Sequence, residues 1–133
     1  MAIDKKFVDQ LAIVTSKAAL ASSYLVGKKN KIAADKAAVD SMRSSLNNFD
    51  IQGEIVIGEG ELDEAPMLYI GEKLGTSKGP EIDIAVDPLE GTNFAANNLP
   101  GALSVIAVAE KTIYLKLLKL IWKKFQLKLM KKT

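Results

Sequence analysis

The segment Asp87-Pro88-Leu89-Glu90-Gly91-Thr92 follows Ile82-Asp83-Ile84-Ala85-Val86, a short β-branched run that reads as a buried strand bounded by turn residues. Two carboxylates three residues apart, held by a rigid proline and followed by Gly-Thr, suit a metal ion on one side and a phosphate on the other. Ligands of open α/β sheets gather at the carboxyl ends of strands, which is where this segment falls. A second acidic cluster follows another apolar run: Glu54-Ile55-Val56-Ile57-Gly58 leads into Glu59-Gly60-Glu61-Leu62-Asp63-Glu64. Four carboxylates in these last six residues repel one another unless water or cations neutralise them. Hard divalent cations such as Mg²⁺ or Mn²⁺ prefer oxygen ligands of this kind. Glu61, Asp63 and Glu64 suit equally well a solvated turn that charges a helix N-terminus. Glu59, between two glycines that permit close backbone approach, reads as a ligand.

Composition narrows the chemistry. The chain has no cysteine and no histidine, which removes disulfides, thiolate metal sites and the commonest general base. Catalysis must run on carboxylates, hydroxyls, lysines and metal. A length of 133 residues suits one domain able to bury a core. The opening Met-Ala-Ile-Asp-Lys-Lys is too polar for a signal peptide, and no apolar run approaches a membrane span. A cytoplasmic protein is the expectation. The net charge of +2 hides a split: residues 1–110 carry ten basic and sixteen acidic side chains, whereas residues 111–133 carry eight lysines and no acid.

The elements that must position these groups follow from periodicity. Phe7, Leu11, Val14, Ala18 and Leu25 recur at helical spacing, which predicts a helix over 4–26 that starts near Asp4 and stops at Gly27. Residues 28–31 read as a polar connector and 32–46 as a second helix. A strand over 53–57, a helix over about 64–74 closed by Gly75, and strands over 81–87 and 103–109 complete the pattern. Residues 92–98 begin a helix or a loop. Met67 and Tyr69 read as core. The three strands are nearly continuous apolar runs, which suits a sheet covered on both faces. Alternating helices and strands give an α/β class with layered helices and sheet.

The stretches 56–73 and 83–92, together with Leu20-Ala21, Lys31, Ala34-Asp35, Ala37-Ala38-Val39 and Met42-Arg43, closely resemble class II fructose-1,6-bisphosphatases. These belong to the lithium-sensitive, metal-dependent phosphatase superfamily. The Asp-Pro-x-Glu-Gly-Thr motif is shared across the superfamily; the gap-free run at 56–73 is what separates class II. The resemblance implies a layered α-β sugar-phosphatase-like fold, of which 1–111 is the N-terminal part. It implies hydrolysis of the 1-phosphate of fructose 1,6-bisphosphate in gluconeogenesis by a two-metal mechanism with Mn²⁺ or Mg²⁺. By the same resemblance Asp35 and Glu59 are ligands of one metal, and Asp87 and Glu90 of another. Thr92 orients water or the transferred phosphoryl group, Asp63 lies behind the ligands, and the backbone of Glu90, Gly91 and Thr92 faces the phosphate. Lys31 offsets phosphate charge. The implied partner is a sugar bisphosphate, with no nucleic acid or membrane, and the full-length family is homo-oligomeric. Read without the family, Asp35 is a solvated helix residue, Lys31 a surface lysine and Thr92 a helix cap. Acids gathered as implied predict raised pKa values in the metal-free protein.

The resemblance fades after about Lys111. Family chains carry a further metal-ligand glutamate and sugar-binding residues in a second half that this sequence lacks, and the family tyrosine expected at position 121 is Ile121. As it stands, 112–133 is a basic amphipathic segment of a kind that binds anionic membranes or acidic partners. The genetic code offers another origin. Lys116-Leu117-Leu118 written AAG-CTC-CTN, read one base earlier, gives Lys-Ala-Pro; Ile121-Trp122-Lys123-Lys124 written ATA-TGG-AAA-AAA gives Tyr-Met-Glu-Lys. That joined reading resembles the family continuation and restores the tyrosine. The expectation is therefore a frameshift-derived tail on a truncated, catalytically weak enzyme.

Overall fold

A computed structural model describes residues 3–59 and 67–111. The acidic turn with Glu61, Asp63 and Glu64 lies outside the described residues. So does the segment 112–133, and with it the amphipathic-helix and frameshift readings.

Helix α1 (Lys5–Ser23) begins where the Asp4 side chain accepts a hydrogen bond of 2.8 Å from the Phe7 amide. Such caps are worth about 1 kcal/mol each. Its inner face is Phe7, Leu11, Val14, Ala18 and Ser22. Helix α2 (Lys31–Asn47) is capped the same way by Asn30, which accepts from the Ala33 amide at 3.0 Å. Ala34, Ala38, Val39, Met42 and Leu46 face inward. Lys31 therefore opens the helix rather than closing the connector. The small alanines let the two helices lie close together, and both rest on one face of a sheet.

The sheet contains β1 (Gln52–Ile57), β2 (Lys73–Leu74), β3 (Glu81–Glu90) and β4 (Leu103–Glu110) in the order β2-β1-β3-β4. Strands β1 and β3 run parallel; β2 and β4 run antiparallel to their neighbours. Ile82, Ile84 and Val86 point into the helical layer with Ile55, and the alternation of a strand puts Asp83 and Ala85 on the other face. The short helix α3 (Thr92–Ala96) follows β3. Its position is fixed by the α1–α2 turn: the Gly27 and Lys29 amides donate to the Ala95 and Ala96 carbonyls at 2.9 Å each, and Lys29 Nζ donates to Asn97 Oδ1.

Two expectations need correction. The described part of the expected helix over 64–74 is not helical: residues 67–72 form a turn that leads into β2, antiparallel to β1. Gly71, at φ +94°, breaks any helix there. The Gly71 amide instead donates to the Ile55 carbonyl at 2.7 Å, and the Glu72 carbonyl accepts from the Ile55 amide at 2.9 Å. With the helix goes the assignment of Met67 and Tyr69 to the core; both are half-buried, and Leu68 between them is fully buried. Strand β3 also runs three residues further than expected, through the buried Pro88, with a register break between Asp87 and Glu90. A proline inside a strand is tolerated at such irregularities. Among the described residues no helix is long and apolar enough to cross a membrane.

Candidate active site

Four acids from three elements meet at the carboxyl ends of β1 and β3. Asp35 sits in the second turn of α2, flanked by the buried Ala34 and Ala38 that press the helix onto the sheet. Glu59 follows β1, after Gly58, and its amide donates to the Leu68 carbonyl at 3.1 Å. A side chain at position 58 would put a Cβ only 2.2 Å from that same carbonyl oxygen, so glycine is required for this approach. Asp87 and Glu90 flank the irregularity in β3. Thr92 opens α3, and Gly91 before it, at φ +79°, is the residue in the N-cap position. Thr92 is thus not the cap; the αL backbone needed at the cap position favours glycine.

The electrostatics of the group are those of crowded anions. Burial raises the pKa of Asp35. Burial also raises that of Glu59, and the charges of Asp35 and Glu90 add to it while a hydrogen bond with Asp87 opposes it. The strongest effect falls on Asp87, pushed up to about 8, first by burial and then by its hydrogen bond with Glu90 and the charge of Glu59. A hydrogen bond shared by two carboxyls requires a proton on one of them, in keeping with the upward shift of Asp87.

Asp35 Oδ1, Glu59 Oε2 and Asp87 Oδ1 are buried without a hydrogen-bond partner, and among the described residues only Ser104 Oγ shares that condition. Buried polar atoms in proteins are nearly always paired. Three partnerless carboxylate oxygens on neighbouring residues form an all-oxygen donor set, the chemistry hard divalent cations favour. Among the described residues no group of three or more acidic side chains is placed to hold a metal ion as the side chains stand. Of the other expected site residues, Lys31 is exposed one helical turn before Asp35 and makes no hydrogen bond or ion pair among the described residues. Asp63 lies outside the described residues.

A connection beside the site was not read from the sequence. Arg43 Nε donates to Glu72 Oε1 at 2.6 Å, and Arg43 Nη2 donates to the Met67 carbonyl at 2.6 Å. Arg43 is the only arginine in a chain with seventeen lysines, and a lone guanidinium among lysines is a signal for fork-shaped recognition.

A family model described as "Bacterial fructose-1,6-bisphosphatase, glpX-encoded" matches residues 5–128, a stretch that runs past Lys111. Among curated relatives, the D-fructose 1,6-bisphosphatase class 2/sedoheptulose 1,7-bisphosphatase of Prochlorococcus marinus (strain MIT 9303) is 49% identical over 109 residues, covering 82% of this chain and 33% of the relative. Fructose-1,6-bisphosphatase 1 class 2 of Escherichia coli (strain K12) is 56% identical over 102 residues, covering 77% of this chain and 30% of the relative. The chain spans about a third of the length of the curated relatives it matches. It belongs to the bacterial, glpX-encoded fructose-1,6-bisphosphatase family.

Proposed function

We propose that this chain carries the cation- and phosphate-binding part of a class 2 fructose-1,6-bisphosphatase, an enzyme that hydrolyses the 1-phosphate of fructose 1,6-bisphosphate to give fructose 6-phosphate. The observation that supports this best is the set of partnerless buried oxygens on Asp35, Glu59 and Asp87 in a chain of this family. Mn²⁺ or Mg²⁺ bound there would polarise the phosphate and lower the pKa of an attacking water. Asp35 and Glu59 would hold one ion, Asp87 and Glu90 the other.

The chain's own residues supply the rest. Deprotonated Asp87 and Glu59 are needed to receive a cation, so cation binding and proton release are coupled. Gly91, with no side chain, leaves the backbone of residues 90–92 open to a phosphate oxygen, and the Thr92 hydroxyl beside it would orient water or the phosphoryl group. Lys31, exposed and without a hydrogen bond or ion pair among the described residues, would offset phosphate charge, and Asp63 would support the ligands. The substrate is a small sugar bisphosphate in the cytoplasm, where gluconeogenesis runs; sedoheptulose 1,7-bisphosphate is a second substrate to assay, given the name of the Prochlorococcus marinus relative.

Calorimetric titration of the purified chain with Mn²⁺ tests the reading. Binding that releases protons, and that weakens at least about tenfold in Asp87→Asn, supports it; equal affinity in the wild type and this variant refutes the assignment.

A further inference from the structure

The turn over residues 67–72 is laced to both elements that carry Asp35 and Glu59. On one side the Leu68 carbonyl holds the Glu59 amide and residues 71 and 72 bond both backbone groups of Ile55. On the other side Arg43, two helical turns beyond Asp35 on α2, grips the same turn. Its Nε reaches Glu72 Oε1 at 2.6 Å, and its Nη2 reaches the Met67 carbonyl at 2.6 Å and Glu72 Oε2 at 3.3 Å. Glu72 is only 9% exposed, and its Oε2 also accepts from the Tyr69 amide at 3.3 Å. A planar fork pinned by one carboxylate and one backbone carbonyl fixes direction as well as distance, which a lysine cannot do. The turn thus transmits the position of α2 to the end of β1. Asp35 and Glu59 repel each other, so their separation must be set by something other than their own interaction.

We infer that Arg43 and Glu72 are a positioning pair that sets the spacing of Asp35 and Glu59 for a divalent cation. The inference rests on the cation-site reading above. Besides an ion pair with Asp40 on its own helix at 3.8 Å, Arg43 reaches the site through the Met67–Glu72 turn.

The test is Mn²⁺ binding to the full chain by electron paramagnetic resonance, with wild type, Arg43→Lys, Glu72→Gln and Asp87→Asn compared. In Arg43→Lys, which keeps the charge and loses the fork, affinity at the Asp35–Glu59 position should fall about 10- to 100-fold. The component lost in Asp87→Asn should be retained. Glu72→Gln should lose the same component as Arg43→Lys, and the double variant should lose no more than either alone. Arg43→Lys with wild-type affinity, or with an equal loss of both components, overturns the inference while leaving the cation reading intact. A wild-type chain that binds no Mn²⁺ overturns both. If Glu72→Gln fails to fold, the split between components in Arg43→Lys decides alone.

Discussion

At the scale of single residues, the cluster is a set of anions held together against their mutual repulsion. Asp87, with its pKa near 8, and Glu59 and Asp35, also raised, bind protons more tightly in the folded chain than in the unfolded one. Between the ordinary carboxylate pKa and the raised value the folded state therefore holds more protons. Stability must fall as pH rises through that window. Without divalent cations, the chain is expected to melt at a lower temperature at pH 8.5 than at pH 6, and Asp87→Asn should flatten the difference. Thermal melts in a chelator across pH 5–9 check this; a wild-type melting temperature that climbs toward pH 8.5 contradicts it. Adding Mn²⁺ should reverse the slope, because a cation stabilises the state that binds it. What the sequence revealed at this scale was uneven. Asp87, Glu90 and Glu59 stand out beside proline and glycine at strand ends. Asp35 does not, because an acid on a helix has the same local pattern whether it faces water or a buried cation, and only the family resemblance singled it out.

At the scale of elements, the site depends on backbone approaches that tolerate no added atom. Gly58→Ala would drive a Cβ against the Leu68 carbonyl oxygen at 2.2 Å, and a backbone carbonyl cannot yield easily. The expected cost is about 1–3 kcal/mol, read as a lower urea midpoint, with a parallel loss of Mn²⁺ affinity because Glu59 moves with the strand end. Gly91→Ala meets a different obstacle. The nearest atom is the Phe94 Cδ2 at 2.9 Å, a side chain able to shift, but φ is +79°. The αL backbone itself should cost about 1–2 kcal/mol, and an unchanged urea midpoint would show that the turn relaxes freely. Helices α1 and α2 and strands β1, β3 and β4 were all legible, since Asp4 marks the first helix start, apolar residues recur at helical spacing and the strands are β-branched runs; Asn30, which caps α2, read only as connector. The turn over 67–72 was not. Leu68, Tyr69 and Glu72 fall at spacings that serve a helix as readily as a return strand, and the bonds from Ile55 that decide the matter are distant in sequence. Gly71 and Gly75, four residues apart, were the available warning.

At the scale of the whole molecule, β4 is the last strand of the sheet among the described residues, and its Leu103 and Val105 are 60% and 40% exposed. An apolar strand edge of this kind invites pairing between chains. Val105→Lys is therefore expected to reduce self-association in light scattering without lowering the melting temperature; a substantial destabilisation would show that Val105 is a core residue. The chain spans about a third of the length of the curated relatives it matches. Its own turnover of fructose 1,6-bisphosphate should lie far below about 1 s⁻¹, the low end of ordinary enzymes, when phosphate release is followed with Mn²⁺ present. Whether the four acids form a cation site is tested directly by anomalous diffraction from crystals soaked in Mn²⁺. Density is expected beside Asp35 and Glu59 and beside Asp87 and Glu90, with the three partnerless oxygens turned toward it. Well-occupied Mn²⁺ elsewhere on the chain, with none at these carboxylates, would contradict it.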